Sequence, residues 1–391
     1  MRVVIVGGGF AGVRAALNLA NKPDFDVVLV SKQAYFEYHS ALYRSATGRS
    51  PLEVAISLTD FFAKDSNIKV IEDEIIHLDH QNKLVAGFSQ SAYHYDVLIL
   101  AVGVVTQYFG IKGLPEFSHS VSTIKEALEL KRRLHEDLVA GGRVERNYVV
   151  IGGGATGVEL SGELISYLNH VRRRHGIKAK FNVDLIEASS NLLPSLPTVF
   201  TDNIKQRLKH LGIKLYFNTA VKSETIDEIE LPRGEIKSHT VVWTAGITNN
   251  PIFAKYPNLF QFGKGGKVIV DQYLETQPGI YVLGDGASTL YSGMAQTAIH
   301  DANFVTGNLK RMLANTQRLS YKPKKPIYAI PTGPRWAAVL WGKFEVYGYA
   351  GWILRRLADL RLYLTFLPLT KALAAWRAGF TIDETCPICK K

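Results

Sequence analysis

A short apolar run, Arg2 to Val6, ends in Gly7-Gly8-Gly9-Phe10-Ala11-Gly12, and a close copy of that passage returns when Tyr148 to Ile151 runs into Gly152-Gly153-Gly154-Ala155-Thr156-Gly157. Each copy spells G-x-G-x-x-G. After the first comes a small-residue helical pattern at Ala11, Ala15 and Leu19, stopped by Pro23, and then a second apolar run, Val27 to Val30. After the second comes Val158, Leu160 and Leu164, then the run Phe181 to Ile186. Strand, glycine turn, helix, strand is the setting in which this spacing binds a dinucleotide. The first glycine permits the tight turn, the second lets backbone approach a pyrophosphate, and the third lets helix and strand pack closely. The helix N-terminus adds free amides and the positive end of its dipole. One such turn is weak evidence. Two in full context point to an α/β chain with two Rossmann-like dinucleotide-binding domains.

The residue ending the second strand separates the two sites. A carboxylate there, about 20 residues past the turn, bonds a ribose 2′-hydroxyl. In the second copy that residue is Glu187, displaced by the basic insertion Val171 to Lys180, and no arginine follows between Ala188 and Leu193. A carboxylate repels a 2′-phosphate, so the second site favours NADH over NADPH. In the first copy the position is Ser31, followed by Lys32.

Length and composition set the outer limits. A chain of 391 residues carries two or three domains at about 150 residues each, and 47% apolar residues suit a folded globular protein. Two cysteines exclude a disulfide framework and favour a reducing compartment. Because Arg2 to Val6 already reads as a strand, no targeting segment is expected ahead of it. No stretch of about 18 uncharged apolar residues suggests a spanning helix. The formal charge of +11 favours a polyanionic partner, such as nucleic acid or an anionic membrane surface.

Two dinucleotides on one chain imply an electron relay, with nicotinamide as donor and flavin as carrier. A further strand-and-turn, Ile280 to Leu283 followed by Gly284-Asp285, places an acid where it can accept bonds from a sugar-chain hydroxyl. With VGGGFAGVRAA, FEYHSALYRSATG, LILAVGVVTQYFGIKGL, VVIGGGATGVELSGEL, VVWTAGI, YVLGDGAS and MAQTAIHDA in that order, the chain resembles the type II NADH:quinone oxidoreductases over nearly its whole length. The resemblance implies FAD on Gly7, Gly9, Phe10, Ala11 and Gly12, with Asp285 of the Gly284-Asp285 pair holding the flavin sugar chain. It implies that Ser31, Lys32, Ser40, Ala295 and Gln296 also serve the FAD. It places NADH on Gly152, Gly154, Ala155, Thr156, Gly157 and Glu187, with Glu159 near the nicotinamide, and makes Thr244-Ala245-Gly246 the strand-end turn that returns the chain toward the flavin domain.

The family pattern A-Q-x-A-x-Q reads here Ala295-Gln296-Thr297-Ala298-Ile299-His300, with histidine in place of the second glutamine. Gln296 and His300 are one turn apart on a helix face. The N-terminus of that helix would stabilise an anionic reduced flavin, and a histidine titrating near neutrality can relay a proton to quinone; alternatively His300 only keeps the glutamine's hydrogen-bonding place. No cysteine precedes Cys386, which disfavours thiol and sulfide chemistry. The terminal pair Cys386 and Cys389 supplies only two of the four ligands that zinc wants, so no metal is expected.

From Pro323 the Rossmann patterning stops. Gly351 to Phe380 carries Arg355, Arg356, Arg361, Lys371 and Arg377 against a single acid, Asp359. Ile353, Leu357, Leu360, Leu364 and Leu367 follow helical spacing, Pro368 breaks the helix, and a second basic piece with Trp376 follows. This composition suits a helix lying in a membrane interface, so an anionic membrane rather than nucleic acid is the expected surface partner. The alternative packs the tail on the core, or on a second copy of the chain in a homodimer. The expected layout is an FAD domain over residues 1–112 and 264–320, an NADH domain over 113–263, and a membrane-associating tail over 321–391. The expected activity passes hydride from NADH to FAD and two electrons onward to a membrane quinone without proton pumping, at the cytoplasmic face of the cell membrane. Two rivals use the same scaffold: a soluble reductase of a small electron-carrier protein, and an NADH-binding interaction flavoprotein of the apoptosis-inducing-factor type.

Overall fold

The run Arg2–Val6 becomes an inner strand of a six-stranded sheet. In the computed structural model, which describes residues 1–139 and 146–383, the sheet order is Glu275–Gln277, Ile280–Val282, Val97–Leu100, Arg2–Val6, Asp26–Ser31, Ile68–Glu72. All neighbours are parallel except the edge pair Glu275–Gln277 and Ile280–Val282. Val3 lies in register with both Val27 and Val97. Parallel strands are covered on both faces, which is why these segments read as continuous apolar runs rather than alternating ones. Val3, Val4 and Ile5 are fully buried. Helix Phe10–Leu19 buries Ala11, Gly12, Ala15 and Ala16, small residues that allow close approach, and packs against helix Ala295–Leu313.

This sheet belongs to one compact unit, made of Met1–Tyr38, Ala55–Val105 and Ile247–Pro326. A second unit comprises His39–Val54, Thr106–Gly246 and Ile327–Lys391. Its central sheet runs Lys214–Tyr216, Asn182–Ile186, Asn147–Ile151, Thr240–Trp243, all parallel. Alternate residues face opposite layers. Tyr148, Val150, Val183, Leu185 and Val242 meet the helices, and Val149, Ile151, Ile186, Val241 and Trp243 meet Ile229 and Leu231 of a small antiparallel sheet.

Two features depart from the layout read in the sequence. Residues 39–54, placed there within the FAD domain, fold with the second unit, because Tyr43 and Ala46 are part of that unit's core. The stretch from residue 327, assigned to a membrane tail, also belongs to the second unit and begins with an antiparallel sheet, Tyr328–Pro331, Ala337–Trp341 and Phe344–Val346. Two helices follow, Gly348–Phe366 and Leu369–Ala378, with Pro368 capping the second at the expected break.

The first tail helix is inverted relative to a core helix. Arg356, Asp359 and Tyr363 point inward and are buried, whereas Ile353, Leu354, Leu357 and Leu364 are exposed, Leu357 to 52%; of the remaining stripe residues read in the sequence, Leu360 is half-buried and Leu367 is buried. Arg355 and Arg356, counted in the sequence as basic interface residues, instead pair with Asp359, and Arg356 also with Glu53. Among the described residues no helix is long and apolar enough to cross a membrane. Cys386 and Cys389 lie outside the described residues.

Candidate dinucleotide sites

At the first turn, Gly7 has φ +115°, and a Cβ placed on it would overlap the Ala101 carbonyl. A Cβ on Gly12 would overlap the Gly7 carbonyl. Gly9 is different, since a Cβ there meets no atom within 4 Å. The outer glycines are required by packing, and the middle one faces open space at the helix N-terminus. Gly9 caps the helix Phe10–Leu19 without any side-chain hydrogen bond, so no side chain of the cap competes for the first helical amides. Phe10 stands edge-on to Phe36 and Tyr38, at ring-centre distances of 5.1 and 5.7 Å. Ser31 is buried; its Oγ accepts the Gln33 amide at 3.3 Å and lies beneath Gly8. Lys32 is exposed and pairs with Glu74 at 2.9 Å.

The Gly284–Gly286 turn comes to the same place. A Cβ on Gly284, whose φ is +70°, would lie 3.6 Å from the Ala11 Cβ. The turn carrying Asp285 thus abuts the N-terminus of the first helix. Helix Ala295–Leu313 starts beside it, with Ala295 half-buried and Gln296 exposed in its first turn. His300, one turn on, lies 2.9 Å through Nε2 from the Lys322 carbonyl, and its ring rests 5.4 Å from that of Tyr321.

The second turn repeats the pattern of the first, closed at its outer glycines and open at the middle one. Gly152, again at φ +115°, would carry a Cβ 2.8 Å from the Ala245 backbone, which brings the Thr244-Ala245-Gly246 strand end against the turn. Thr244 Oγ1 donates to the Ile151 carbonyl at 2.8 Å. A Cβ on Gly157 would overlap the Gly152 carbonyl, one on Gly246 would overlap the Gln107 carbonyl, and one on Gly154 meets nothing within 4 Å. Gly154, Ala155 and Thr156 are exposed. Glu187 takes the place that Ser31 holds in the first unit, but as a carboxylate. Its Oε2 accepts the Gly153 amide at 2.5 Å and its Oε1 the Ser189 amide at 2.6 Å. Both turns therefore fit a dinucleotide, with a cradle open at the middle glycine and closed at the outer two.

Glu159 sits two residues past the second turn and is only 8% exposed. Burial pushes its carboxyl up to about 7, against the opposing pull of Arg355 and Arg44. Arg355 comes from the inverted tail helix. It donates to the carbonyls of Ser40, at 3.0 Å, and Ala329, at 3.1 Å, and pairs with Asp359 at 3.2 Å. Ser40, expected beside the FAD, thus lies in the second unit with its carbonyl held by the tail. Beneath it Arg44 bridges Glu53 at 2.9 Å and Asp359 at 2.8 Å, and Arg356 pairs with the same two carboxylates at 3.0 and 3.3 Å. Among the described residues no group of three or more potential ligands is placed to hold a metal.

The model of the pyridine nucleotide-disulphide oxidoreductases matches residues 1–302. The chain belongs to that family. Within it, the chain is similar to the type II NADH:quinone oxidoreductase Ndh of Mycobacterium tuberculosis, 28% identical over 411 residues and covering 97% of this chain and 88% of that one. It is also similar to the type II NADH:quinone oxidoreductase of Staphylococcus aureus, 23% identical over 346 residues and covering 82% and 85%. In fold it matches NDH2 from Plasmodium falciparum in complex with NADH, with a TM-score of 0.87 at 17% identity over 97% of both chains. The sulfide:quinone oxidoreductase from Aquifex aeolicus follows at 0.77 and 19%, covering 98% and 93%.

The structure thus gathers Gly7, Gly9, Phe10, Ala11, Gly12, Ser31, Gly284 and Ala295 in the first unit, and Gly152, Gly154, Ala155, Thr156, Gly157, Glu159, Glu187, Ala245 and Gly246 in the second. Arg44, Glu53, Arg355 and Asp359 were missed as a group, and only their shared burial reveals them. Asp301, directly after the altered motif, was missed too; the available signal was a lone acid on the inward helix face, among Ala298, Ala302 and Val305 but also Thr297 and Asn308.

Proposed function

We propose that this protein is a type II NADH:quinone oxidoreductase, with FAD on the first turn and NADH on the second. The observation that carries the reading is the duplicated cradle, open at Gly9 and Gly154, with an acid at strand end only in the second copy. FAD when bound supplies two-electron chemistry, accepting hydride from a nicotinamide and returning electrons to a quinone. Gly7, Gly9, Gly12 and the Gly284-Asp285 turn would hold it. Glu187 orients the NADH ribose and disfavours a 2′-phosphate. Glu159, its carboxyl pushed up to about 7 by burial, can exchange a proton near neutral pH. Gln296 is exposed at a helix N-terminus where it can bond a quinone ring oxygen. His300 has Nε2 directed at the Lys322 carbonyl, so a proton relay through this residue would use Nδ1.

The inverted tail helix supports a peripheral attachment to an anionic membrane. Its exposed leucines, with Tyr349 and Leu369, form an apolar surface beside the exposed Arg361, Lys371 and Arg377, as an interfacial helix requires. A lipid-soluble quinone would be met there.

The experiment is steady-state turnover of the purified protein with NADH and a short-chain quinone, with and without anionic vesicles. The reading expects quinone reduction with NADH, little with NADPH, and sedimentation with vesicles that Leu357→Glu with Leu364→Glu abolishes. Turnover only in the presence of a carrier protein would refute it.

A further inference from the structure

Asp301 lies on helix Ala295–Leu313 and is completely buried. A buried carboxylate persists only where its oxygens are satisfied, and both are. Oδ2 accepts the Gly284 amide at 3.1 Å, and Oδ1 accepts the Tyr321 hydroxyl at 2.6 Å. Gly284 opens the turn that carries Asp285 and abuts the first helix at Ala11. Tyr321 arrives from beyond the helix, its own amide donating to the Gln272 carbonyl at 2.7 Å and its ring 5.2 Å from that of Phe304. The other side of the turn is tied down as well. Ser292 Oγ lies 3.1 Å from the Gly284 carbonyl and 3.3 Å from that of Asp285, and Lys267 Nζ donates to Ser292 Oγ at 2.9 Å.

We infer that Asp301 is a positioning residue that presents the Gly284-Asp285 turn to the flavin, and that Tyr321 locks Asp301 in that role. The turn's glycine is in left-handed conformation and has no side chain to anchor it, so its geometry depends on what its amide is bonded to. A carboxylate accepts at both oxygens. A protonated carboxyl turns one acceptor into a donor, so it cannot keep accepting from both the Gly284 amide and the Tyr321 hydroxyl as the carboxylate does. Burial raises Asp301 to about 6, opposed in turn by the Tyr321 hydroxyl, the Gly284 amide and His300, while Asp285 adds to the rise. Among the groups facing it, then, Tyr321 and His300 favour the ionised form and Asp285 disfavours it.

The inference rests on the FAD reading of the first turn. The test follows flavin release from full-length holoprotein, read as the rise of free-flavin fluorescence on dilution, between about pH 5 and pH 8. Wild type should lose flavin more readily as pH falls through about 6. Asp301→Asn keeps the shape and removes the charge; it should hold flavin about ten- to hundredfold more weakly above that pH, the effect of losing a hydrogen bond to a charged acceptor. Its release should no longer change near pH 6. Tyr321→Phe deletes only the hydroxyl, and because that bond lowers the carboxyl it should move the midpoint upward; this variant carries the test if Asp301→Asn does not fold. His300→Gln should leave a transition in place and move it upward, since the residue that holds the carboxyl down beside Tyr321 is lost. Flavin release from Asp301→Asn that matches wild type at every pH, or a Tyr321→Phe midpoint that stays put, overturns the inference while leaving the FAD reading intact. A wild-type protein that carries no FAD removes both.

Discussion

The two glycine turns share a skeleton and differ in what surrounds it. Both place the outer glycines against backbone and leave the middle one open. Beneath Gly8 lies a buried hydroxyl, Ser31; beneath Gly153 lies a carboxylate, Glu187, which already accepts two amides. Two residues past each turn the contrast repeats. Arg14 in the first unit reaches Asn303 at 2.8 Å, whereas Glu159 in the second is buried under Arg355 and Arg44. The first turn is also joined by a second one, Gly284–Gly286. The duplicated part answers to pyrophosphate, which every dinucleotide has. The parts that differ decide which dinucleotide binds and what it does there.

The largest effects should come from closing each cradle. Gly9 and Gly154 have extended backbone, with φ −85° and −71°, that valine can adopt. Gly9→Val should yield folded protein without FAD. Gly154→Val should retain FAD but lose NADH, with KM raised roughly 100-fold or more, as expected for about 3 kcal/mol of lost binding. Flavin content and NADH titration separate the two, and a variant that lost both ligands would break the comparison.

Next in size is the tail's contribution to the second unit. Arg356 pairs with Glu53 and Asp359, and its Nη2 donates to the Trp376 carbonyl at 2.6 Å. Arg356→Met should cost about 3–5 kcal/mol in denaturant unfolding, the usual effect of removing one partner from a buried ion pair. Deleting the chain from Gly351 onward should therefore damage the second unit as well as any membrane attachment. A tail serving only as an anchor would be dispensable for stability.

These residues mark the limit of what the sequence discloses. The turns were legible because strand, glycine spacing and helix follow one another within thirty or so residues, the reach of a single supersecondary unit. Glu187 and Ser31 were legible for the same reason. Arg44 and Asp359 are 315 positions apart, and Arg356 and Glu53 are 303 apart; periodicity reports which residues share a face but not what the face meets. The tail shows this directly. Ile353, Leu357 and Leu364 form the same stripe whether it turns inward or outward, and only the closed ion cluster beneath the other face decides the matter.

Glu187→Arg tests the difference in strand-end residue. It removes the bonds to the Gly153 and Ser189 amides and supplies a cation for a 2′-phosphate. NADH efficiency should fall about ten- to hundredfold, with NADPH gaining, as read from kcat/KM for each. Equal use of both cofactors by wild type would dissolve the distinction.

Glu159→Gln has the smallest expected effect, and it depends on pH. Burial raises the folded carboxyl to about 7 from an ordinary value of 4.5. Below 4.5 the acid is neutral whether folded or unfolded, and wild type and variant should be equally stable. As pH rises toward 7 the wild type must either keep its proton or bury a charge, so the variant should gain by roughly 1–3 kcal/mol and then level off. Thermal unfolding across that range checks it; a constant difference would mean that Glu159 does not titrate there.

The central claim is that one chain carries electrons from NADH to quinone through a flavin. An anaerobic absorbance spectrum tests it most directly. NADH added to the purified protein should bleach the flavin within one turnover, NADPH should do so far more slowly, and a short-chain quinone added next should restore the oxidised spectrum. A flavin that NADH leaves oxidised, or one that is bleached but recovers only with oxygen and not with quinone, would contradict the account.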